Sequence, residues 1–329
     1  MLLLWRCCFC LIVAVAAGSA YAQNSVTPQL QWPLSCGVGR DCFIQSYPDV
    51  TAWTDPSHPV DYKCGQRTEP GSVGTKVIFK DWATALADQE VYTVAPGVVK
   101  HVVNLFADGE VQTDDKACGN SVVVDHGGWE STYCHLKHDS IKVTVGQKIE
   151  AADVLAHVGQ SGTATEPLLV FYITRDGLPF DPFLNETIAQ AKPCDKKALH
   201  GAWNAEVNYV DAANISAGFA SRVVNHLEVK ANAALPQREL TAHSPYLVSW
   251  VRLQHVMVGD EETFTLTSPL GKVVKQRQQK LPGYSADYLS YVTLRADKEG
   301  IARGDWMSHY ELKRGGRVIL QKNNTVHIE

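Results

Sequence analysis

Residues 118–136 read CGNSVVVDHGGWESTYCHL. Two short β-rich runs flank Gly127-Gly128, and paired glycines between such runs signal a β-hairpin, because the tight turn needs positive φ at its centre. The hairpin sets Cys118 and Cys134 near each other on paired strands. Outward from it the texture repeats in VYTVAPGVVKHVVNLF (91–106), SIKVTVGQKIEAADVLAHVGQSG (140–162) and LLVFYITRDGLPFDPF (168–183). Strand follows strand, so the fold class is mainly β. DQEVYTVAPGVVKHV (88–102) and VGQKIEAADVLAHVG (145–159) share one pattern of polar pair, small-residue turn and alternating apolar strand, as a duplicated hairpin unit would.

The chain of 329 residues opens with one arginine, an apolar stretch too short to span a bilayer and Ala20-Tyr21-Ala22 as a small-residue cleavage site. Residues 1–22 are therefore expected to be a signal peptide. The protein is expected to be exported, periplasmic or secreted, with no membrane span after cleavage. Three of nine cysteines leave with the signal, and Cys36, Cys42, Cys64, Cys118, Cys134 and Cys194 remain. An even set in an exported chain reads as disulfides. No two of them have the C-x-x-C spacing of a structural zinc site. The pairing is formally open; locality favours Cys36 with Cys42 and Cys118 with Cys134, leaving Cys64 with Cys194. A net charge of −5 with acids and bases interspersed gives no nucleic-acid groove and no polybasic patch.

Roughly 300 mature residues imply two domains. A polar, lysine-containing linker around 187–198 separates units expected at 23–190 and 195–329. The second is again strand-rich, in YLVSWVRLQHVMVG (246–259) and WMSHYELKRGGRVILQK (306–322), and reads as a small antiparallel sandwich. Its histidines, His200, His226, His243, His255, His309 and His327, are scattered and read as surface or packing residues.

Four segments together, APGVV (95–99), the hairpin 118–136, residues 145–162 and PLLVFYITRDGLPFDP (167–182), resemble the lysostaphin-type, LytM-like zinc endopeptidases of peptidoglycan. The resemblance covers roughly Gln31 to Phe183. It implies a LytM-like antiparallel β-sheet with a duplicated hybrid motif. The C-terminal half is similar to an immunoglobulin-like β-sandwich that follows such domains in some exported relatives. In that family zinc is held by the first histidine and the aspartate of a His-x-Gly-x-Asp segment and by the second histidine of a His-x-His strand. Two further histidines assist, one in a Tyr-x-His-Leu context and one at the start of His-x-His.

Laid on this sequence, SVGTK (72–76) takes the first segment, with Ser72 for the histidine and Lys76 for the aspartate. PLLVF (167–171) takes the other, with Leu168 for the helper and Val170 for the third ligand. Only His135, in TYCHL, matches, as a vestigial catalytic helper. Valine has no lone pair to donate, and an ammonium beside a dication is repulsive, more so in a low-dielectric cleft. No zinc or other cofactor is therefore expected. Relocated ligands would have to come from His58 with Asp61, His126 or His138, of which His126 and His138 read as solvated. Cys134 and His135 do not make a nucleophile and base, since adjacent strand residues point to opposite faces. The resemblance then implies an inactive homologue that binds peptidoglycan or regulates a cell-wall hydrolase. Its rivals are an active zinc endopeptidase with non-standard ligands and a structural or adhesive exported module.

Overall fold

The computed structural model describes residues 29–55, 57–113, 116–192, 201–233, 235–238 and 240–329. The expected signal peptide, Cys194 and His200 lie outside them. The quoted hairpin is two paired strands, and around it nine strands form one antiparallel sheet. In chain order these are β1 (Cys42–Ser46), β2 (Thr75–Phe79), β4 (Gly97–Val103), β5 (Ser121–Asp125), β6 (Trp129–Cys134), β7 (Lys148–Ile149), β9 (Leu169–Arg175), β10 (Leu178–Asp181) and β11 (Glu186–Thr187). Two more, β3 (Glu90–Tyr92) and β8 (Val154–His157), pair with each other. The main order is β1-β2-β9-β6-β5-β4-β7, with β10 beside β9 and β11 beside β10. Gly127 and Gly128 carry the turn at φ 77° and 99°, a region that strains other residues.

The two similar units do not close on themselves. Each lends one strand to the other, β3 to β8 and β4 to β7, with Val91 opposite Ala156 and Gly97 opposite Ile149. Both local disulfides, Cys36–Cys42 and Cys118–Cys134, are present. Cys64 is also disulfide-bonded, and its expected partner Cys194 lies outside the described residues.

One face of the sheet is the first core: Leu169, Phe171 and Ile173 pack with Val77, Phe79, Val122, Val124 and Tyr133. Residues 202–209, within the second expected unit, also pack there. Leu30 exchanges backbone hydrogen bonds with Ala202 and Asn204, and Ala202 belongs to that core.

The C-terminal half has two antiparallel sheets over a common core. One orders β12 (Ala213–Ala220), β13 (Tyr246–Val256) and β16 (Ser285–Arg295). The other orders β15 (Val273–Lys280), β14 (Glu261–Thr267), β17 (Gly304–Arg314) and β18 (Arg317–Ile328). Leu247, Val251 and Leu253 from the first meet Phe264, Leu266, Trp306 and Tyr310 from the second. The expected sandwich has these two layers.

The halves lock together over the other face of the first sheet. Phe43 of β1, Ile78 of β2, Ala164 and Leu168 share a buried cluster with Ala213 and Ile215 of β12, flanked by Val170 and Val210. Polar contacts surround it. Gln254 Nε2 donates to the Ile44 carbonyl at 2.6 Å, and Arg252 Nη1 to that of Lys80 at 3.2 Å. Asp81 caps helix α1 (Trp82–Leu86) by accepting from Thr84 N at 2.7 Å, and its other oxygen accepts from Ala233 N at 3.0 Å.

Candidate functional site

Zinc chemistry in the resembled family needs ligands from the loop before β2, from β2 and from β9, with a helper histidine just after β6. The fold brings those positions together. Lys76 is directly opposite Val170 in the β2–β9 ladder, and Val170 is opposite Cys134 in the β9–β6 ladder. Facing residues share one side of a sheet, so these three form a row on the face that β12 partly covers. Ser72 sits in a tight loop before β2. Its N donates to Glu69 O at 2.9 Å, its carbonyl accepts from Asp49 N at 2.7 Å, and its Oγ donates to Gly74 O at 3.3 Å. A Cβ on Gly74 would stand 2.9 Å from Val170 Cγ1, so a side chain there would displace the valine.

Lys76 pairs with Glu69 and keeps 23% of its side chain exposed. Its positive charge therefore stands, already neutralised by a carboxylate, at the position assigned to the ligand aspartate. Leu168 is buried, and its N donates to Gly159 O at 3.1 Å.

His135 follows β6 at φ 65°, in the left-handed region that non-glycine residues seldom adopt. The loops that hold it leave room only for glycine. A Cβ on Gly119 would lie 2.4 Å from Gly162 N, and both glycines have positive φ. His135 Nδ1 donates to Ser161 O at 2.8 Å, since a carbonyl can only accept. Burial lowers its pKa, and the charge of Lys76 acts in the same direction against that hydrogen bond. The ring is neutral near pH 7, as a helper histidine must be to take a proton. Ser161 Oγ in turn donates to Leu136 O at 2.9 Å and accepts from Asn120 N at 2.9 Å. The hydrogen bonds that orient this histidine are thus all in place.

The donor set at those positions is a hydroxyl, an ion-paired ammonium and two hydrocarbons, which does not fit zinc. Among the described residues no group of three or more His, Cys, Asp and Glu could hold a metal. The relocated candidates each have other partners. His58 pairs with Asp55 at 3.0 Å, and Asp61 is buried, accepting from the backbone N of Lys63 and Gly65 and from Tyr209 OH. His138 faces Asp139 at 3.4 Å. His126, expected to be solvated, is half-buried. It stacks on Trp129 at 3.9 Å, with Nδ1 on Pro96 O at 2.7 Å and Nε2 on Ser131 Oγ at 2.8 Å. Cys134 is in a disulfide and is not a nucleophile.

Sequence reasoning missed what covers this face. Glu166 Oε1 pairs with Lys230 Nζ at 3.0 Å, and Lys230 with Asp287 at 3.0 Å. Arg252, buried, grips Asp287 through Nε at 2.8 Å and Nη2 at 3.0 Å. Burial acts to raise the Asp287 pKa, but Arg252 and Lys230 outweigh it and the net shift is downward. This network borders the strand that would carry His-x-His in a zinc enzyme.

With that geometry in place, residues 81–182 match the model of peptidase family M23. The match begins after Ser72 and Lys76, whose placement rests instead on the β2–β9 pairing. Among solved structures, the chain is similar to a zinc-containing peptidase from Vibrio cholerae, at 24% identity over 35% of this chain and 31% of that one, TM-score 0.27. It is similar to the catalytic domain of lysostaphin from Staphylococcus simulans, at 17% identity over 32% and 69%, TM-score 0.25. It also matches a chain of the SpoIIQ–SpoIIIAH pore-forming complex, at 16% identity over 50% and 94%, TM-score 0.35. The chain spans about a third of the length of the Vibrio cholerae protein. No curated protein matches the sequence. Among the described residues no helix is long and apolar enough to cross a membrane.

Proposed function

We propose that the protein is an exported, catalytically inactive relative of the M23 peptidases that binds peptidoglycan or regulates a cell-wall hydrolase. One observation carries the reading. The strand positions that would supply zinc ligands hold Lys76 and Val170, and the neighbouring Leu168 is buried against β12 of the C-terminal half. A cleft that cut peptide bridges would need open access and an attacking water on that face. Here part of the face is an internal joint. His135 remains as a neutral imidazole buttressed by the Ser161 carbonyl. Disulfides and the short apolar leader support export.

The test is elemental analysis of protein purified without added metal, combined with digestion and pull-down assays on peptidoglycan sacculi. The expected result is substoichiometric zinc, no release of peptide fragments, and retention of the protein by sacculi or of a wall hydrolase by the protein. One zinc per chain with chelator-sensitive cleavage would overturn the reading in favour of an active enzyme. Retention of neither wall nor hydrolase would leave a structural or adhesive module.

A further inference from the structure

If the face of β9 is occupied, a wall ligand must be held elsewhere, and the described residues contain an open cleft away from that face. A cavity of about 670 Å³ and a neighbouring one of about 310 Å³ share the wall formed by residues 203–208. The first is floored by aromatic rings fixed by their own packing. Tyr62 stacks on Phe183 at 5.0 Å, Tyr209 stacks on Tyr47 at 5.4 Å, and Phe183 meets Trp203 at 5.6 Å. Trp203 in turn meets Trp32 of the second cavity edge-on at 5.4 Å. Charged residues anchor this layer from beneath. Tyr209 OH donates to Asp61 at 2.8 Å, and the Arg67 guanidinium lies 4.2 Å from the Tyr209 ring.

The indole Nε1 atoms of both Trp32 and Trp203 are buried and have no hydrogen-bond partner among the described residues. Orphaned buried donors are uncommon and costly, at about 1–3 kcal/mol each. The exposed polar groups of the cleft are mainly amides, Asn204 and Asn208, with Lys63 and Glu206 as its charged members. Flat aromatic faces with neutral hydrogen-bonding groups suit a ligand with apolar C–H faces and many hydroxyls or amides. They do not suit a strongly charged one. The two-lobed length suits several linked rings rather than one.

We propose that this cleft is a carbohydrate-binding site for a neutral oligosaccharide, with Tyr62 and Trp203 as stacking platforms and Asn204 and Asn208 as hydrogen-bonding groups. Only the choice of sugar, a β-linked N-acetylglucosamine chain as in peptidoglycan glycan, rests on the proposed function.

The full chain is titrated with N-acetylglucosamine tetramer and, separately, with cellotetraose, by tryptophan fluorescence and calorimetry; binding to sacculi is measured in parallel. The expected result is saturable binding of the N-acetylglucosamine tetramer, weakened at least tenfold by Trp203→Ala. Because Trp203 also packs on the core, the exposed-site variant Asn204→Ala/Asn208→Ala is measured too, with unchanged melting and binding weakened at least threefold. Retention by sacculi with no binding of either oligosaccharide, or binding that both variants leave intact, would overturn the cleft and spare the wall reading. Binding of cellotetraose without retention by sacculi would uphold the cleft and overturn the wall reading.

Discussion

The two faces of β9 are both apolar, for different reasons. Leu169, Phe171 and Ile173 fill the core of their own sheet, while Leu168, just before the strand, and Val170 meet β12 of the other half. A strand with one face in water alternates apolar and polar residues; a strand covered on both sides reads as a continuous apolar run. LLVFYI (168–173) reads as such a run, though the joint covers its outer face only in part: Leu168 is buried, while Val170 and Tyr172 are half-buried. The positions assigned to the zinc-site histidines, Leu168 and Val170, thus lie on the surface where the second half docks.

The largest effect should come from the buried charges of the C-terminal half that border the joint, where Arg252 also reaches the Lys80 carbonyl of the first half. Arg252→Ala strips Asp287 of its guanidinium in a mostly buried setting, and should cost about 3–5 kcal/mol in denaturant unfolding. Truncation then separates the faces. Phe171→Ala should cost about 3–5 kcal/mol and lower the stability of the first half itself. Leu168→Ala should cost about 2–3 kcal/mol and act mainly on the joint, seen as faster proteolysis between the halves with first-half hydrogen exchange unchanged. Equal loss of protection in both halves would erase the distinction.

A smaller change in stability, about 1–2 kcal/mol, should follow from Ser72→His/Lys76→Asp/Val170→His. This variant should bind one zinc per chain, because Lys76 and Val170 already face each other across β2 and β9. If it folds and takes up no metal, closure by β12 has removed the space itself.

The gentlest probe is pH. Burial raises Asp181 to about 7, above the ordinary aspartate value of about 3.9. An acid bound more tightly to its proton in the folded state adds stability below the unfolded value, and that share is lost as pH rises through 7. His255, pushed down to about 3 by burial foremost, works oppositely: its share is present above about 6.5 and lost as pH falls. Asp181→Asn should flatten the decline between about pH 4 and 7.

The hairpin, the two local disulfides and the likeness of the two repeated units were legible because each is encoded within a few residues; the exchange of strands between the units, which joins segments as far apart in the chain as Gly97 and Ile149, was not. The positions assigned to the ligands come from motif spacing, and the ladder sets two of them, Lys76 and Val170, opposite each other. The aromatic layer of Tyr47, Tyr62, Phe183 and Tyr209 was not legible, because its members come from segments with no pattern in common. Nor was the cover over Leu168: Ala213 and Ile215 are ordinary strand residues, and only their docking gives them meaning. His126 misled for a related reason. A turn position reads as wet until Trp129 is seen stacked against it.

The Leu168 joint works as a ratchet. A single reversion of Leu168 to histidine would gain no coordination, since its neighbours supply none, yet would place a polar imidazole among hydrocarbons. A histidine at 168 taken alone would therefore begin downhill in folding stability and level in chemistry.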